Sequence, residues 1–226
     1  MHDWVALLRH RTDRFAAVVA NGDPDARVTH CPGWTLRDLT DHLGGVHQWA
    51  AHAVLTGTPG LEPATAGALG GERLADWYRR HAANLVAVLA DRPADAPAWT
   101  LDDTDPTAGF WRRRQVHETV LHLWDAEHAL GAPAPLEPAL AWDGVLEVVD
   151  VMYPRQVRLG RVRPLAAEVR MVATDGPWRA ALGEGEPVEV RATADVLLRL
   201  LWHRADPHAE AVDPRAGVLL AGAVTP

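Results

Sequence analysis

The segment Arg114-Gln115-Val116-His117-Glu118-Thr119-Val120-Leu121-His122-Leu123-Trp124-Asp125-Ala126-Glu127 decides the reading of the first half of the chain. It lies in a run free of glycine and proline, residues 110–130, which Gly131 and Pro133 bring to a close, so it reads as one long helix. Within it Glu118 and His122 are one helical turn apart and share a face. A carboxylate on a face otherwise filled by Val and Leu costs several kcal/mol unless it is paired or coordinates a cation. The spacing His117 to His122 is one residue too long for the His-Glu-x-x-His zinc-protease motif.

Three further helices precede this one. Val5, Leu8, Phe15, Val18 and Val19 recur at helical spacing over residues 4–19, and Asn21-Gly22-Asp23-Pro24 ends the run. Cys31-Pro32-Gly33-Trp34 is a loop; Thr35 then caps a second helix that reaches about Leu55, with Asp38 completing a capping box. A connection rich in Gly, Pro and Thr, residues 57–71, leads to a third helix over residues 72–89, with Leu74, Trp77, Leu85 and Val88 facing inward. Four helices of about 16 to 21 residues predict an antiparallel four-helix bundle spanning residues 1–131.

Beyond a proline-rich linker, residues 139–226 predict a small α+β domain. It comprises a helix over residues 139–157, strands at 165–174, 178–182 and 187–192, an apolar helix at 194–202, and short strands or turns at 209–212 and 217–220.

Composition narrows the chemistry. The chain has 226 residues and a net charge of −8, with 22 basic and 30 acidic side chains. It contains no Ser, Lys or Ile and one cysteine, Cys31. Those absences exclude a Ser-His-Asp hydrolase, a Schiff-base lysine, a phosphate-binding loop with its lysine and a multi-cysteine metal site. The acidic balance argues against nucleic acid as a partner, and Arg112-Arg113-Arg114 is too short a cluster to reverse that. No signal peptide and no apolar run of about 18 residues is present, so a cytoplasmic protein without a membrane partner is expected.

Twelve histidines make a cation site worth testing. His42 and His47 are five residues apart, as are His47 and His52, which turns the second ring of each pair away. His42 shares the apolar face of the second helix with Leu39 and Val46, and is the best-placed partner for Glu118 and His122. Two imidazoles and one carboxylate suit a divalent ion, zinc first, and leave positions open for catalysis. The competing reading is a satisfied core histidine. Asp38 and Asp125 stand at helical spacing from the two histidines, either as acceptors that orient the rings or on a solvated face, the expectation for Asp125. Cys31 reads as structural in its loop, and Trp111 and Trp124 as core.

The stretch from Cys31-Pro32-Gly33-Trp34-Thr35 through His42-Leu43, together with Arg114 through Glu127, resembles the mycothiol-dependent maleylpyruvate isomerase family of the DinB-like metalloenzymes. The end of the second domain, residues 194–204, resembles that family less specifically. The resemblance implies a divalent metal, usually zinc, on His42, Glu118 and His122, with mycothiol as co-substrate. It also implies that Arg204 reaches a substrate carboxylate, against the plainer reading of a surface ion pair. A metal-dependent S-transferase or cis–trans isomerase acting on a small electrophile is therefore expected. The alternatives are a non-catalytic DinB-like protein that binds a metal or small molecule, and a hydrolase that uses metal-bound water.

Overall fold

Three of the first four helices begin where a short polar side chain caps them; α3, preceded by Arg73, has no side-chain cap. Asp3 accepts from the Ala6 amide and starts α1, Trp4–Asn21. Thr35 and Asp38 exchange reciprocal bonds at the start of α2, Leu36–Thr56, which ends at Gly57 in the left-handed conformation (φ 70°). Helix α3 spans Leu74–Asp91, and α4, capped by Thr107, spans Ala108–Ala129. The computed structural model describes residues 2–68, 73–207, 213–222 and 224–225.

The molecule is mostly helical, and its contacts divide it into two units, Met1–Ala134 and Pro135–Pro226. In the first, α1 and α2 each pack against both α3 and α4. Phe15, Leu36, Leu39, Leu43, Tyr78 and Leu123 are buried together in the core between them. Trp77, Leu85, Val86 and Leu89 of α3 are buried; Leu74 and Val88, also expected to face inward, are half-buried. The helix begins two residues later than the periodicity suggests, and Glu72 lies outside the described residues. Helix α4 differs from α1, α2 and α3 in having no solvated face. Every residue from Arg114 to Glu127 is buried.

The second unit holds α5, Pro138–Glu147, a π-helical turn, Val148–Met152, and α6, Tyr153–Arg158. The expected single helix is thus interrupted. Pro154 has no amide hydrogen to give to the carbonyl four residues back, and the Tyr153 amide bonds the Val148 carbonyl five residues back instead. Strands β1, Glu168–Ala173, β2, Arg179–Leu182, and β3, Pro187–Ala192, form one sheet in the order β2-β1-β3. β1 runs antiparallel to β2, with Met171 opposite Ala180, and parallel to β3, with Met171 opposite Val190.

Helix α7, Ala194–Leu201, packs on α5 and on β1 and β3. Residues 217–220, expected as a strand or turn, lie inside α8, Pro214–Ala221. Asp213 caps that helix and Pro214 occupies its first turn, a start signal that outweighs the apolar run after it. The expectation for residues 209–212 falls outside the described residues. Among the described residues no helix is long and apolar enough to cross a membrane.

Candidate metal centre

The capping box fixes where α2 starts, and with it the direction of His42 two turns later. The ring of His42 lies against Trp34, 4.9 Å between centroids, and edge-on to His122 at 5.1 Å. From the neighbouring helix α4, Glu118 turns one carboxylate oxygen toward both imidazoles. Glu118 Oε1 is 3.4 Å from His42 Nε2 and 3.3 Å from His122 Nε2. One donor atom from each of the three residues lies within 4.8 Å of the others.

Neighbouring side chains complete the arrangement. Arg114, one turn before Glu118 and buried with it, pairs with the other oxygen, Oε2. Glu118 is 7 % exposed; burial would raise its pKa, but the Arg114 charge and the bonds with His122 and His42 outweigh that and hold it well below the usual carboxylate range. It is therefore a carboxylate at neutral pH. Asp125 accepts from His122 Nδ1 at 3.0 Å. Burial opposes charge on the His122 ring, yet the bonds to Asp125 and Glu118 and their negative charges prevail and raise its pKa to about 9.

The expectation of a solvated Asp125 is overturned: the residue is 1 % exposed. On a helix buried all round, a polar residue has no solvent face to occupy, and this one instead orients a histidine. Asp38, by contrast, is exposed and committed to the Thr35 cap, so it does not hold His42. Arg114 is the member of the cluster that sequence reasoning missed. Its signal is a cation four residues before a carboxylate on a wholly buried helix.

The remaining histidines of α2 point elsewhere, as their spacing requires. His47 is fully buried, bonded to Gln115 at 2.9 Å and to Tyr78 at 3.1 Å; burial pushes its pKa down to about 4, so it stays neutral. His52 bonds Thr58 at 3.2 Å. Trp111 and Trp124 are buried, as expected of core residues. Arg204 donates to the Trp202 carbonyl at 2.6 Å in the second unit.

On its outer side His42 borders a groove of about 290 Å³ lined by Asp41, Val46, Trp49, Leu61 and Pro63, among others. The donor chemistry fits a divalent cation. Two imidazole nitrogens and one anionic oxygen are the set that zinc and its neighbours take in catalytic sites, with positions left for a ligand from the groove. A carboxylate with one oxygen tied to Arg114 and a histidine with one nitrogen tied to Asp125 each have a single donor left to aim at that ion.

Fold and site together define a mostly helical protein whose first unit gathers a buried His-Glu-His set able to hold a divalent cation. Residues 5–127 match the family described as the mycothiol maleylpyruvate isomerase N-terminal domain. The match covers more than half of the chain, and the chain belongs to that family. Its fold is similar to the crystal structure of the mycothiol-dependent maleylpyruvate isomerase, with a TM-score of 0.64 at 16 % identity over 90 % of this chain and 89 % of that one. A crystal structure of a histidine-to-alanine mutant of that isomerase gives 0.61 at 15 % identity, covering 88 % and 87 %. No curated protein matches the sequence at the same stringency.

Proposed function

We propose that the protein is a zinc-dependent enzyme that uses mycothiol to isomerise, or to transfer sulfur to, a small electrophile of the maleylpyruvate type. The observation that carries the proposal is the convergence of His42, Glu118 and His122, from two helices, on one point beside an open groove. The reading takes the first four helices as the antiparallel bundle of a domain over residues 1–131, residues 139–226 as a second domain, and the cytoplasm as the site of action.

The three side chains would hold the cation, which when bound supplies a Lewis acid that lowers the pKa of a thiol and so generates a nucleophile at neutral pH. Glu118 contributes a full negative charge, because Arg114 keeps it ionised. Asp125 holds the Nδ1 proton of His122, which directs the lone pair of Nε2 toward the ion once the Nε2 proton has left. Trp34 limits the rotation of His42, and the groove beside that ring offers apolar walls at Val46 and Trp49 for the thiol or the electrophile. A thiolate aligned there adds to the conjugated double bond of the substrate; the bond becomes single, rotates, and re-forms as the thiolate leaves. Arg204 is assigned to the substrate carboxylate.

The test is bound zinc by elemental analysis, together with mycothiol-dependent loss of the maleylpyruvate absorbance. Wild type is expected to hold close to one zinc at this centre and to turn over only when the thiol is present. His42→Ala and Glu118→Gln are expected to lose the zinc and at least about 100-fold in rate. Zinc bound without thiol turnover across a panel of electrophiles would reduce the protein to a non-catalytic binder. Turnover independent of thiol would make it a hydrolase.

A further inference from the structure

His122 has a second face. Its Nδ1 side is turned to Asp125, and the thiol of Cys31 lies beside the same carboxylate, with Sγ 3.9 Å from Asp125 Oδ2. One donor atom each from Cys31, His122 and Asp125 lies within 4.8 Å of the others. We infer that these three side chains form a second cation position, separate from the His42 and Glu118 side of the ring, which takes a thiophilic divalent ion such as cadmium.

The distances suit such an ion. With bonds of about 2.3 Å to sulfur and about 2.0 to 2.1 Å to nitrogen and oxygen, a tetrahedral ion holds its sulfur and oxygen donors roughly 3.6 Å apart and its nitrogen and oxygen donors roughly 3.3 Å apart. The observed 3.9 and 3.0 Å lie within a few tenths of an ångström of these values.

The surroundings hold the donors in place. Asp125 and His122 are buried on α4. Cys31 is fixed in a tight loop, where its amide bonds the Val28 carbonyl and its own carbonyl accepts from Trp34. The cysteine is half-buried, which leaves an approach from outside. An ion entering there displaces the Cys31 thiol proton and the Nδ1 proton to the buffer, and replaces the hydrogen bond that orients His122 with a coordinate bond. A soft metal thus occupies the side of His122 opposite the proposed catalytic ion.

The experiment is a titration of the full chain with cobalt and, separately, cadmium in thiol-free buffer, following the sulfur-to-metal charge-transfer absorbance, with circular dichroism to confirm that each variant is folded. Wild type is expected to show the band. Cys31→Ala is expected to lose it, and Asp125→Asn to need at least tenfold more metal to reach it. His42→Ala is expected to keep the band while losing thiol-dependent turnover, so that failure of the second position and failure of the catalytic reading are told apart. Absence of the band in wild type at tenfold molar excess of metal would overturn the inference. So would a band that Asp125→Asn leaves untouched, which would mark a simple adduct of one thiol.

Discussion

At the scale of single residues the decisive feature is that Glu118 and His122 each have one polar atom engaged by a neighbour and one turned toward the proposed cation. Arg114 takes one oxygen of Glu118, and Asp125 takes one nitrogen of His122. A pH dependence follows. In the metal-free protein the pKa of His122 is raised above its unfolded value of 6.5 to about 9. The charged ring therefore stabilises the fold fully below pH 6.5, by something of order 3 kcal/mol, and that contribution is lost as pH rises through 9. Zinc competes with the same proton. Its affinity, measured by competition with a chromophoric chelator, is expected to climb by up to about tenfold per unit from pH 7 and to level off near 9. In Asp125→Asn the plateau should begin nearer 7. An affinity that is flat from pH 7 to 9 in wild type would contradict the role given to Asp125. His42, Glu118 and His122 were legible as a set, because helical spacing and the cost of an apolar-face carboxylate select them. Asp125 and Arg114 were not, because a wheel drawn with one wet face misplaces polar residues on a helix that has none.

At the scale of elements the caps carried most of the information. Thr35 with Asp38 and Gly57 bracket α2, and Asn21-Gly22 closes α1, close to where local chemistry puts those ends. What local chemistry did not show was a change of hydrogen-bond register, as at Val148–Met152, or a helix as short as α8, whose apolar residues suit a strand equally well. The glycine pair in α2 shows how packing assigns different work to identical residues. A Cβ at Gly44 would collide with the Trp77 ring of α3, whereas one at Gly45 would meet Pro63 at an ordinary 3.5 Å. Gly44→Ala must therefore push α2 from α3, at a cost of about 1 to 3 kcal/mol, and shift His42 two residues away. Gly45→Ala gains helix propensity of up to about 1 kcal/mol. Thermal unfolding should show a lower midpoint for the first, with reduced zinc content, and an equal or higher midpoint for the second. Equal losses in both would mean that the close approach to Trp77 is not what selects glycine at 44.

At the scale of the whole molecule the question is how far the effect of a bound cation spreads. All three donors of the His42 centre belong to the unit Met1–Ala134, and they join two of its helices, α2 and α4, whose other faces pack on α1 and α3. The sheet and α5 to α8 supply none of them. A ligand that binds only the folded form stabilises it by RT ln(1 + [L]/Kd), about 2.7 kcal/mol at a hundredfold excess over Kd, and only those amides gain whose opening breaks the site. Hydrogen exchange with and without saturating zinc is therefore expected to slow by up to about 100-fold for the slowest amides of α1 to α4, while Met171 and Val190 in β1 and β3 exchange at unchanged rates. If the strands slowed equally, the two units would unfold as one and the cation would stabilise the entire chain. If only α2 and α4 slowed, the four helices would not be a single cooperative body, and a displacement of α2 would reach His42 without passing through the shared core.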